Sequence, residues 1–182
     1  HVGDNYFADI EGALRLGISA FFFIPSIEFV YPRYSVHSLV SKHSLPISAE
    51  KYSRFKFGDL SIAKIYALEL FEYFINNHSQ WLQLNNRPIV IYSSPYSSIP
   101  TSSYYLTKYF FDSLKGYLSD VLKLNTQVLF GKINRCQTYS EDYGAMSSEQ
   151  RYNLIKNDTY VFSEEPREDW RLVFIDDISI TG

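Results

Sequence analysis

Between Arg87 and Ile133 the chain alternates strand, loop, helix and strand, and no other feature restricts its fold as much. PIVIY is a short continuous apolar run, the pattern of a strand covered on both faces in a parallel sheet. SSPYSSIPTSS follows as a loop, and Thr101 or Ser102 caps a helix through YYLTKYFFDSLKGYLSDVL. QVLFGKI then makes the second strand. Two strands joined through a helix read as a βαβ unit, whose crossover is right-handed. TYVF and RLVFID supply further strands. The expected fold class is α/β: an open, mainly parallel sheet flanked by helices, with ligands beyond the carboxyl ends of the strands.

Upstream, FGDLSIAKIYALELFEYFINNH spaces Leu60, Ala63, Ala67, Leu70, Phe71 and Phe74 as one helical face. Asp59 caps this helix, predicted over about residues 59–77, and Asn76, Asn77 and His78 stop it. GISAFFFIP and IEFVYP are β-rich but broken by Pro25 and Pro32, which predicts short strands or edge segments. Residues 35–48 read as loop. The polar stretch 134–158 interrupts the strand order, and within it Ser147 and Gln150 stand at capping-box spacing ahead of a short helix. The chain thus divides into an N-terminal β/α elaboration, residues 1–86, and an α/β core, residues 87–182.

A chain of 182 residues with 46% apolar content can bury one core. Its 16 Tyr and 14 Phe place much ring surface inside, with the Tyr hydroxyls near water or a partner. A formal charge of −3 gives no basic field, so nucleic acid is not an expected partner. Cys136 is the only cysteine, which excludes an internal disulfide and fits a reducing compartment; a cytoplasmic location is expected. The apolar run from Ile18 to Ile24 is too short for a bilayer and follows Asp4, Asp9 and Glu11, so neither a membrane partner nor a signal peptide is expected. His1, His37, His43 and His78 lack metal-ligand spacing. The aromatic-rich N-terminal half is compatible with a homodimer.

The strand RLVFI runs into Asp176 and Asp177. Neighbouring residues of a strand point to opposite faces, so two acids share a ligand only where the strand ends and turns. Ile178, Ser179, Ile180, Thr181 and Gly182 then offer hydroxyls, a flexible glycine and successive backbone N–H groups suited to a phosphate. Carboxylates for sugar hydroxyls beside amides for phosphate describe a site for a ribose 5-phosphate. Two simpler arrangements compete: acids that cap a turn after a core strand, and a two-acid metal site of the phosphatase kind.

VFIDDISITG resembles the phosphoribosyl-diphosphate (PRPP) signature of type I phosphoribosyltransferases. The resemblance implies that Asp176 and Asp177 hold the ribose hydroxyls while residues 178–182 surround the 5-phosphate. That loop usually runs further into a helix, so a site cut short at Gly182, on a chain longer than the residues given, is expected. By position, SSPYSSIPT resembles the family's diphosphate loop, with Ser93, Ser94, Pro95, Tyr96, Ser97 and Ser98 around the diphosphate. Lys132 and Arg135 resemble the basic residues after the family's second strand, which face the anionic leaving group. QTYSEDYGAMSSEQRY occupies the place of the flexible hood, with Tyr139, Tyr143 and Arg151 as its residues of interest.

Together with FKFGDLSIAKIYA, these segments resemble bacterial phosphoribosyltransferase-like proteins whose predicted role is ribonucleoside biosynthesis. The broader resemblance runs from about Phe55 to Gly182. It implies transfer of phosphoribosyl from PRPP to a base or related nucleophile with release of diphosphate. Asp176, Asp177, Lys132 and Arg135 would be catalytic, and Mg²⁺ would be held through PRPP and water rather than directly by the protein. The acceptor is not legible. A non-catalytic sensor of PRPP or a nucleotide on the same fold is the alternative, and a plain interaction module is a third reading.

Overall fold

The computed structural model describes residues 34–37, 47–83, 86–96, 99–136, 147, 149–150, 153 and 159–177. Two helices lead into the sheet: α1 is Ala49–Lys56 and α2 is Leu60–Gln83. Ser48 caps α1 by accepting from the Lys51 N–H at 3.3 Å. Gly58, at φ +90°, makes the corner between them. Asp59 secures it twice: Oδ1 accepts from the backbone of Ser61 and Ile62, and Oδ2 accepts from Arg54 at 2.6 Å. The Ser61 hydroxyl, which also donates to Oδ1 at 2.5 Å, and then Arg54 are the main causes that lower the Asp59 pKa to about 2. The predicted stop at His78 is not the end of α2. His78 departs from helical angles, but the helix resumes and continues to Gln83. Its anchor is Leu82, which is fully buried beyond the kink.

The main sheet contains β1 (Ile89–Ser93), β2 (Val128–Gly131) and β5 (Arg171–Ile175), all parallel, in the order β2-β1-β5. Every residue of β1 is buried, as its continuous apolar run predicts. Helix α3 (Ser102–Gly116), extended by a π turn over Tyr117–Val121, joins β1 to β2. Ile89, Ile91 and Ile175 pack with α2 and α3 in one core, where Phe71 meets Phe110 edge-on at 5.9 Å. Val90 and Tyr92 face the opposite side and pack with Ile133 and Trp170.

QVLFGKI does not form one strand. The chain breaks at Lys132, and β3 (Ile133–Arg135) pairs antiparallel with β4 (Tyr160–Phe162) in a separate two-stranded sheet. Ser163 causes the break by bonding both backbone groups of Lys132, donating to its C=O at 2.8 Å and accepting from its N–H at 3.1 Å. TYVF therefore belongs to this accessory sheet rather than to the main one. The capping box at Ser147 is formed in both directions: the Gln150 side chain accepts from the Ser147 N–H at 2.8 Å, and Ser147 Oγ accepts from the Gln150 N–H at 3.2 Å. GISAFFFIP and IEFVYP lie outside the described residues. Among the described residues, no helix is long and apolar enough to cross a membrane.

Candidate functional site

With β1 central, the chain leaves β1 toward β2 on one side and later returns to β5 on the other. The strand order thus reverses at β1, and in open α/β sheets ligands bind beyond the carboxyl ends of the strands at such a switch point. Ser93 pairs in register with Ile175, so the loop after β1 and the acid turn after β5 leave the sheet side by side.

The strand ends at Ile175 and the chain bends at Asp177, which meets the condition for two adjacent acids to serve one site. The two carboxylates have unequal surroundings. The Asp177 side chain is only 6% exposed, and its Oδ2 accepts from Lys56 Nζ at 2.6 Å and from Ser102 Oγ at 2.5 Å. Ser102 opens α3, where the backbone dipole also favours an anion. Asp176 keeps exposed surface, yet its carboxyl is crowded by protein atoms. This desolvation, followed by the charge of Asp177, raises its pKa, against which a hydrogen bond from Ser94 acts. The Asp177 N–H donates to Asp176 Oδ1 at 2.8 Å. Tyr52, one turn before Lys56 on α1, lies within the field of both acids. Burial first, then Asp177 and Asp176, push its hydroxyl up to about 12.

On the β1 side, a chain of hydroxyls ties the loop to α3. Ser94 Oγ bonds Ser103 Oγ, which bonds Thr101 Oγ1 at 3.0 Å. Ser93 is buried and donates to the Ser94 carbonyl at 3.2 Å. Tyr96 is stitched to β3: its N–H donates to Ile133 O at 3.4 Å, and the Arg135 N–H donates to Tyr96 O at 3.3 Å. Lys132 Nζ sits 4.6 Å from the centre of the Tyr96 ring, a cation–π distance. The structure thus brings Lys132, Arg135 and Tyr96 together beside the β1 loop and places Ser94 against Asp176. A cation in contact with the acid pair is Lys56.

Ser97, Ser98, Tyr139, Tyr143, Arg151, Ile178, Ser179, Ile180, Thr181 and Gly182 lie outside the described residues. Three residues now join the site that the sequence reading did not place there: Lys56, Tyr52 and Ser102. Lys56 stands in FKFGDLSIAKIYA, one of the segments that carried the resemblance, and Ser102 marked only a helix start. Neither curated proteins nor solved structures give a significant match to the chain. A family described as ComF-like phosphoribosyltransferases does match, over residues 30–182. That span takes in both helices before the sheet, the β1 loop and the acid turn, and the chain belongs to this ComF-like phosphoribosyltransferase family.

Proposed function

We propose that the protein binds PRPP at the switch point and transfers its phosphoribosyl group to a base or related nitrogen nucleophile. The observation that carries this reading is the acid turn at the end of β5, set beside the hydroxyl-lined β1 loop within a phosphoribosyltransferase family match. Asp176, the more accessible acid, accepts from a ribose hydroxyl, which offers a donor to a carboxylate that burial and a like charge destabilise. Residues 178–182 surround the 5-phosphate. Ser93, Ser94 and Tyr96, with Lys132 and Arg135, face the diphosphate, where charge-assisted bonds from the two cations favour its departure.

The nucleophile forms a bond to C1 of the ribose as the bond from C1 to the diphosphate oxygen breaks. Diphosphate leaves with the bonding pair, and the nucleophile's proton passes to solvent. Bound together with the diphosphate, Mg²⁺ would supply neutralisation of the leaving group, and the protein would hold it through hydrogen bonds rather than by direct ligation. The hydroxyl of Ser94 and the carboxylate of Asp176 are hard oxygens, which suit hydrogen bonding to the waters of such an ion. A place in ribonucleoside biosynthesis, a cytoplasmic location and a homodimer complete the proposal.

Titration calorimetry with Mg²⁺ and PRPP tests it. The wild-type chain is expected to bind saturably, and Asp176→Asn/Asp177→Asn to lose about a hundredfold in affinity, as the loss of hydrogen bonds to charged groups implies. Equal binding by the double variant sinks the reading. Diphosphate release in the presence of candidate bases separates an enzyme from a sensor, which binds PRPP without turnover.

A further inference from the structure

We propose that Lys56 is a positioning residue of the ribose site, acting on Asp176 through Asp177. The inference rests on the PRPP reading above and extends the site to a helix 121 residues upstream of the acid turn.

The argument is a relay of contacts. Lys56 Nζ and Ser102 Oγ both bond the same oxygen of Asp177, so α1 and α3 clamp one carboxylate between them. A side chain held from two elements fixes its own backbone, and the Asp177 N–H is what holds Asp176 Oδ1. Asp176, held in this way, is the exposed acid of the pair that can face a ligand. A clamp is useful only if its support is stiff. Phe55, beside Lys56, is 2% exposed and packs edge-on against Tyr66 of α2 at 5.3 Å. The corner that follows is locked by Gly58 and by the Arg54–Asp59 pair. The Lys56 side chain is about half exposed, yet its ammonium meets a nearly buried acid. A surface lysine recruited only for solubility would leave its head in water.

Positioning, direct phosphate binding and plain structural support make different predictions. If Lys56 aims the ribose clamp, Lys56→Gln weakens Mg²⁺–PRPP binding by about tenfold, the scale at which small misplacements are felt. Inorganic diphosphate, which has no ribose, is expected to bind the variant as it binds the wild type. Lys56→Arg, which keeps a charged donor, is expected to restore most of the PRPP affinity. In an Asp177→Ala background, which removes the acceptor of both Lys56 and Ser102, Lys56→Gln is expected to cost little more, because the relay is already cut. Unchanged PRPP binding by Lys56→Gln overturns the inference. So does an equal loss of diphosphate affinity, which marks a phosphate contact or general damage, and so does a full additional cost in the Asp177→Ala background. Failure of the wild type itself to bind PRPP overturns the functional reading and this inference with it, and is distinguished by needing no variant.

Discussion

Strand β5 carries charge at both ends and treats it in opposite ways. At its start, Arg171 is 8% exposed. Its guanidinium donates to the carbonyls of Trp81 at 2.8 Å, Leu82 at 3.3 Å and Arg87 at 3.0 Å, and lies 4.9 Å from the Trp81 ring centre. These carbonyls close α2 and lead into β1, so one side chain satisfies the end of a helix and locks it to the sheet. At the far end, two acids stand side by side, one tied down by Lys56 and Ser102 and the other raised in pKa by burial and its neighbour. The first end is saturated, and the second holds a carboxylate that burial and a like charge disfavour. A fold commonly tolerates the second condition where a ligand relieves it.

The largest effect should come from the saturated end. Arg171→Met removes every one of those bonds and leaves buried carbonyls without donors, for an expected loss of about 3 kcal/mol in denaturant unfolding. PRPP affinity of the molecules that remain folded is expected to stay as in the wild type. A matching loss of affinity would mean that the two ends are not independent.

Gly131→Ala should sharpen the same contrast from the middle of the sheet. A Cβ built at Gly131 collides with Tyr92 Cε1, part of a ring that stacks on Phe174 at 5.4 Å. Tyr92 is 1% exposed and has nowhere to retreat without disturbing Phe174, two residues before Asp176. Overpacking of this kind costs about 2 kcal/mol. Unlike Arg171→Met, it is expected to weaken PRPP binding as well, and calorimetry on the folded variant reads the difference.

Those two ends were not equally legible in the sequence. β1 declared itself because a strand buried on both faces is apolar throughout, and the acid turn because strand, acid pair and turn coincide at fixed spacing. The division of roles between Asp176 and Asp177 was hidden, since it depends on a lysine and a serine contributed by distant helices. Arg171 reads in sequence as one more surface cation, and only the arrival of the α2 carbonyls shows what it does. The break at Lys132 was equally invisible because its cause, Ser163, is brought beside it only by the pairing of β3 with β4. Helix α1 went unread for a related reason: it buries only Phe55, too little to set a periodic pattern.

The smallest expected effect lies at the acid end and has the opposite sign. Because the Asp176 pKa is raised above the ordinary 3.8, the folded protein binds more protons than the unfolded chain between those two values. Stability therefore falls as pH rises through that window, and the deficit persists above it. Asp176→Asn abolishes the titration while its Oδ1 still accepts from the Asp177 N–H and its side chain still meets Ser94. The ligand-free variant should melt slightly above the wild type at neutral pH, by less than Gly131→Ala lowers it, and the two should converge as pH falls toward 4. In the same variant, PRPP affinity should drop by about tenfold, because an amide oxygen accepts a hydroxyl less strongly than a carboxylate. A gain in stability with a loss in binding is the signature of a residue kept for its ligand, whereas a variant that melts lower at every pH would make Asp176 a second Arg171.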